Sequence, residues 1–323
     1  MVTKIHRDAL KSEIATLRNM LARSGATRDR LGSMSLQQRL SSLEGKLAEV
    51  EGQVRNIANV ALIFDGGPVH GSTAIDAEFA GKALQEYQDL IAKNVASEAL
   101  GGLAKKGPLP AQQQQQARMN VTALVHGSFG FVLEENDPEQ WQMFESPAMI
   151  SVAAVTDLLA GVASSDGRWF DERILELDVR VFESLRVFVE HLHKAKSTLK
   201  IAEENREIRL DAAGVFRAHE RVSQAEVKEY DEEIEGELLG LVPIQRRFDF
   251  RRRDDSEVLS GMVSVYLSAD YLERIERDEL VSGREWRAVV RTKIVQRPDG
   301  RRSETRTLID LVKIGRPDPP AAA

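Results

Sequence analysis

The sequence predicts an α+β protein in three parts: an N-terminal helical hairpin or coiled coil, a central α+β domain and a C-terminal small β-barrel, OB-like or alternatively SH3-like. Three observations predict it. Apolar residues recur at heptad spacing near the start. Strands and helices alternate through the middle. The last third reads as strand-strand-strand-helix-strand-strand. The expected parts are 1–57, 58–227 and 228–316, followed by a disordered tail, 317–323.

Leu36, Leu40, Leu43, Leu47, Val50, Val54 and Ile57 are spaced alternately four and three apart, a heptad seam among Gln, Glu, Lys and Arg. Ser35 and Gln38 read as a capping box opening this helix. Leu10, Ile14, Leu17 and Leu21 repeat the spacing upstream. Breakers, Ser24-Gly25 and Gly32-Ser33, lie between the two stretches. Two arrangements satisfy such a pattern: a hairpin within the chain, or pairing with another chain. The seam makes Leu36, Leu40, Leu43, Leu47, Val50 and Val54 the candidate oligomerisation residues.

The middle opens with an apolar strand, Val60 to Phe64, running into the glycine-containing turn Asp65 to Ser72. A helix capped by Thr73 follows, with Ile75, Phe79, Ala83, Tyr87 and Leu90 or Ile91 on its apolar face. Residues 103–117, with their prolines and glutamines, read as a low-complexity loop. Two strands, 119–125 and 129–133, flank His126-Gly127-Ser128. Helices are expected from Pro147, capped by Ser146, and over 171–193, where Leu175, Val179, Phe182, Leu185 and Val189 share a face. A hairpin at 199–210 and a helix capped by Asp211 complete the domain.

The last third predicts strands at 234–242, 246–252 and 258–265, a helix capped by Ser268, and two longer strands joined at Pro298-Asp299-Gly300. Gly236 and Gly240 suit the bend that closes a small barrel. The acidic run 229–237 reads as a solvated linker.

Composition narrows the chemistry. The chain has no cysteine, so disulfides, cysteine nucleophiles and thiolate metal sites are excluded, and a reducing compartment, the cytoplasm, is expected. Of the six histidines, His191 and His193 stand two apart on a predicted helix and point to different faces, a poor start for a metal site. The opening residues lack an apolar signal core, and no apolar stretch is long enough to span a bilayer. No cofactor is expected. The glycines at 66, 67 and 71 match neither the P-loop nor the dinucleotide fingerprint. They still allow an anion-binding turn, with Gly66, Gly67, Gly71 and Ser72 as its residues. Val-His-Gly-Ser occurs at both 69–72 and 125–128, which invites a Ser–His–Asp grouping if the two copies converge near Asp65.

The barrel carries the strongest binding signal. The whole chain has a formal net charge of -7, yet residues 244–316 hold 17 basic against 13 acidic residues. Arg246, Arg247, Arg251 and Arg252 surround Phe248 and Phe250, and Arg291 and Lys293 lie on a later strand. Arginines interleaved with aromatics suit single-stranded nucleic acid, unless alternation sends both phenylalanines into the core. The leading expectation is a non-enzymatic, oligomeric binding or scaffold protein with a second copy and a protein as partners. Single-stranded nucleic-acid binding is the alternative. A hydrolase or nucleotide-binding enzyme built on the 65–72 turn is the third reading.

Overall fold

A computed structural model describes residues 3–24, 30–52, 57–71, 73–125, 129–136, 144–203, 206–242, 245–264, 267, 285–296, 300 and 302–314. The chain divides into two compact units. One comprises Met1–Val95, Pro110–Ser165 and Val187–His219; the other comprises Ala96–Leu109, Asp166–Arg186 and Glu220–Ala323.

The first unit begins with helices α1 (Thr3–Ser24) and α2 (Arg30–Gly52). Leu10, Ile14 and Leu17 are buried with Leu43, and Leu36, Leu40 and Leu47 pack half-buried against them. The heptad pattern thus closes a hairpin within the chain. Arg18–Glu44 and Arg39–Glu13 pairs, each 2.7 Å, flank it. Exposed pairs contribute little, so the apolar seam holds the helices together. The expected capping box at Ser35 is not the start of α2, which already runs through Gly32 and Ser33. An interior glycine costs roughly 1 kcal/mol, which seam packing offsets. The side chain of Val50 and all of Val54 lie outside the described residues.

Next come β1 (Asn59–Gly66), the short strands β2 (Val69–His70) and β3 (Ala74–Ile75), α3 (Ala77–Leu100), α4 (Ala111–Gln116), β4 (Met119–Val125) and β5 (Phe129–Glu135). After them run α5 (Pro147–Ala163), α6 (Arg168–Glu176), α7 (Val179–Lys194), β6 (Ser197–Ala202), β7 (Glu207–Leu210) and α8 (Ala212–Gln224). An antiparallel sheet of order β4-β5-β1-β6-β7 forms the first unit's frame. On one face Leu62 and Phe64 stand beside Phe131 and Phe129 of β5 and Ile201 and Leu199 of β6. Phe64 meets Phe79 of α3 edge-on at 5.3 Å. Phe79, Ala83, Tyr87, Leu90 and Ile91 are buried, as the helical spacing predicts.

Three local expectations change. Thr73 does not cap α3. Residues 74–75 pair with 69–70, and Asp76 accepts the Phe79 N–H at 2.8 Å instead. The 103–117 stretch includes the short helix α4. The helix expected over 171–193 is two helices. Leu177 is extended, and Asp178 caps α7 by accepting the Arg180 N–H at 2.8 Å. Ser146 and Asp211 cap α5 and α8 as expected, accepting from Met149 at 3.0 Å and Gly214 at 2.7 Å.

The second unit contains β8 (Glu226–Val242), β9 (Arg247–Arg252), β10 (Val258–Val263), β11 (Glu285–Gln296) and β12 (Arg302–Lys313). They close a barrel in the order β10-β12-β11-β8-β9. β10 and β12 run parallel, and the other neighbours antiparallel. Phe248, Phe250, Trp286, Val290 and Leu308 fill its interior. The acidic run 229–237 is not a linker: it lies within β8, paired residue by residue with β11. Arginines from neighbouring strands compensate it, Arg291 on Asp231, Arg252 on Glu232 and Arg287 on Glu235. Gly236 is needed where β8 crosses β9, since a methyl there would run into the Arg251 carbonyl. Gly240 sits at a register shift in the same pair. The helix expected after Ser268 and the tail lie outside the described residues.

Candidate functional site

The outer wall of the barrel has two differently built sides. On the first, strand pairing sets Glu229 and Thr305 on either side of Lys293, and Asp231 and Thr307 on either side of Arg291. Lys293 is 7% exposed. Its Nζ donates to the carbonyls of Ile174 at 2.5 Å and Leu175 at 3.2 Å, and to that of Leu177. These oxygens belong to the C-terminal end of α6, where a helix leaves carbonyls unpaired and favours a cation. Burial pushes the Lys293 ammonium down to about 8. Arg291 binds Asp231 at 2.8 Å and the Leu103 carbonyl at 2.9 Å. Asp178 accepts the Leu103 N–H at 2.7 Å. The two β11 cations therefore fasten residues 96–109 and the end of α6 to the barrel wall. Hydrogen bonding from Arg291 holds the Asp231 carboxyl below its usual range, whereas burial raises that of Glu229.

Beside these pins lies a cavity of about 230 Å³, lined by Glu98, Glu229, Arg246, Thr305 and Thr307 as well as the two pinned cations. Three basic residues singled out from the sequence, Arg246, Arg291 and Lys293, thus meet at one place. The threonines and Glu98 were missed. Their signal is the register between β11 and β12 and the return of residues 96–109, neither of which has a local sequence mark.

The second side is the outward face of β8, β9 and β10. Val242, Arg247 and Met262 form one row, and Glu237, Arg251 and Val258 another. Val242, Val258 and Met262 are 46%, 47% and 40% exposed. Arg251 pairs with Glu237 at 2.9 Å, and Arg252 with Glu232 at 2.9 Å. Arg246 and Arg247 are exposed and have no ion pair among the described residues. Phe248 and Phe250 are in the core, 2% and 0% exposed.

The 65–72 turn is built differently from an open anion cradle. Gly66 donates its N–H to Asp65 Oδ1 at 2.7 Å, and Gly67 to the Lys196 carbonyl at 3.1 Å. Side chains at either glycine would collide with the backbone at Ala195 or Lys196. Gly71 keeps a left-handed φ of 63° in open space at the β2–β3 tip. Ser72 and His126–Ser128 lie outside the described residues.

A second buried titratable group had no sequence signal. Glu86 of α3 is 9% exposed and lies 3.8 Å from His191 Nδ1 of α7. Burial raises the Glu86 carboxyl to about 7 and lowers His191. Among the described residues, Glu86 Oε2 and His191 Nε2 are both without a hydrogen-bond partner. His191 stacks on Phe79 at 4.9 Å. Among the described residues, no group of three or more His, Asp or Glu is placed to hold a metal, and no helix is long and apolar enough to cross a membrane.

No family model, curated protein or solved structure matches this chain.

Proposed function

We propose that this is a non-enzymatic, oligomeric binding or scaffold protein of the cytoplasm whose small barrel contacts a protein partner. One observation carries the reading: the β8–β10 face offers Val242, Val258 and Met262 half-exposed beside an arginine already neutralised by Glu237. A protein surface gains from covering such apolar side chains, whereas a polyanion needs free cations. The cysteine-free sequence supports a reducing compartment.

The barrel is read as OB-type rather than SH3-type. What supports this is the strand order, with the third and last of five barrel strands parallel and the rest antiparallel. That order also keeps single-stranded nucleic acid as the second reading, through Arg246 and Arg247. The buried phenylalanines leave it without the stacking platform such proteins use. A hydrolase or nucleotide-binding enzyme at the 65–72 turn is the weakest reading, because the Gly66 and Gly67 amides are already engaged. Self-association is assigned to α2, whose seam residues Leu36, Leu40 and Leu47 remain half-buried in the hairpin.

Affinity purification of the full chain from its native host tests the reading, with Met262→Asp as the comparison and both proteins and nucleic acids identified. We expect a protein partner that wild type retains and Met262→Asp loses, with unchanged melting. A nuclease-sensitive catch that survives Met262→Asp would sink the reading. Light scattering tests oligomerisation: a mass of one chain, 36.0 kDa, removes it.

A further inference from the structure

The cavity on the β11–β12 wall has chemistry the scaffold reading does not use. Most of its charges are already committed. Lys293 is spent on three carbonyls, Arg291 on Asp231 and Leu103, Asp178 on two backbone N–H groups, and Glu176 on Arg173 at 2.8 Å. Three kinds of group are left. Arg246 has no ion pair among the described residues, and neither does Glu98. Thr305 and Thr307 bring hydroxyls to the lining, and Glu229 brings a carboxyl 3.8 Å from Arg291.

Arg246 is also held in an uncommon way. Its φ is 49°, in the left-handed region where glycine or asparagine is at ease. Its carbonyl accepts the Val263 N–H at 2.7 Å, which locks that turn against β10. A strained non-glycine residue facing a cavity is a reason to look for a ligand.

The groups able to take a ligand, Glu229 among them with its longer 3.8 Å approach to Arg291, have both signs, so the lining suits neither a bare anion nor a bare cation. A multiply charged phosphate would meet the Glu98 and Glu229 carboxylates. An alkylammonium would meet Arg246. No aromatic side chain lines the cavity among the described residues, so a stacked base or sugar ring finds no platform. We propose that this cavity binds a small zwitterion of the α-amino-acid class. Its carboxylate is taken by Arg246 with a threonine hydroxyl, and its ammonium by Glu98 and Glu229. The proposal does not depend on the protein-docking reading.

Thermal unfolding of the full chain tests this, with single amino acids at millimolar concentration as probes. Acetate, ethylammonium and inorganic phosphate are the controls. A ligand that binds only the folded state raises the melting temperature by mass action. At least one amino acid should raise it by several degrees, and each control by less. Calorimetric titration with that amino acid should show about tenfold or greater weakening in both Arg246→Gln and Glu98→Gln, since each loses a charge-assisted hydrogen bond. Both residues are exposed, so the unliganded variants should melt like wild type. No shift with any amino acid overturns the proposal. So does a shift from phosphate or acetate as large as that from the best amino acid. Wild-type affinity in either variant overturns it as well.

Discussion

Lys293 and Glu86 are both charged residues buried to about the same degree, 7% and 9% exposed, yet their surroundings differ. Lys293, in the second unit, has its ammonium against three carbonyls. Glu86, in the first unit, faces a histidine at 3.8 Å, and one carboxylate oxygen has no partner among the described residues. A buried polar group costs free energy unless its hydrogen bonds are replaced. The satisfied lysine therefore serves as a fastener. The glutamate, with a carboxylate oxygen left unpartnered among the described residues, yields to its environment by holding its proton to about pH 7. Burial shifts both groups, Lys293 down to about 8 and Glu86 up to about 7, so what separates them is that the lysine's partners fasten one segment to another.

The largest expected effect comes from cutting the fastener. Lys293→Met keeps the apolar stem and removes the donor. The carbonyls of Ile174, Leu175 and Leu177 then lose their partner. Each unsatisfied buried group costs about 1–3 kcal/mol, partly offset by no longer burying an ammonium. A net loss of about 2–4 kcal/mol follows, read as a lower urea midpoint with an unchanged m-value. A midpoint equal to wild type would show that the end of α6 is held by something other than Lys293.

Glu86→Gln sharpens the other half of the contrast, through pH. The folded state keeps a proton on Glu86 up to about pH 7, while the unfolded chain releases it near the ordinary carboxyl value of 4.5. Between those values the folded state binds more protons, so the Glu86 contribution to stability is lost as pH rises. His191 works with the opposite sign. Its lowered pKa makes the unfolded chain bind more protons, so its contribution grows as pH rises through its range. Wild type should show the two slopes opposing each other. Glu86→Gln should show the rising slope alone, with a difference across the window of about 1–2 kcal/mol after allowance for solvent screening. Parallel stability–pH curves for the two proteins would mean that Glu86 does not titrate in this window.

Much of the fold was legible in the sequence because it follows from period. The α1–α2 seam, the Ser146 and Asp211 caps, the sheet strands and the last two barrel strands all follow from spacing and capping chemistry. The failures have physical causes. Leu175, Val179 and Phe182 keep helical spacing across the Leu177–Asp178 break, so periodicity sees one helix where there are two. The glutamates at the start of β8 hide a strand whose compensating arginines are tens of residues away. The candidate site was legible only in part for the same reason. Lys293 and Arg247 look alike in sequence, basic residues on predicted strands. What separates them is the chain that returns to cover one and leaves the other exposed.

The smallest expected effect supplies the exposed reference for both buried groups. Arg251 and Glu237 form a 2.9 Å pair on the open side of the barrel, their side chains 48% and 36% exposed. Water already solvates both partners. The pair therefore gains little Coulomb energy and loses side-chain freedom to keep its geometry. Arg251→Ala should lower stability by less than about 1 kcal/mol, and the difference from wild type should shrink further in molar salt. Urea midpoints measured at low and high ionic strength read both quantities. A loss as large as that of Lys293→Met would place the exposed pair on the same footing as the buried fastener. The number of partners would then no longer separate charges that hold the barrel together from charges that merely decorate it.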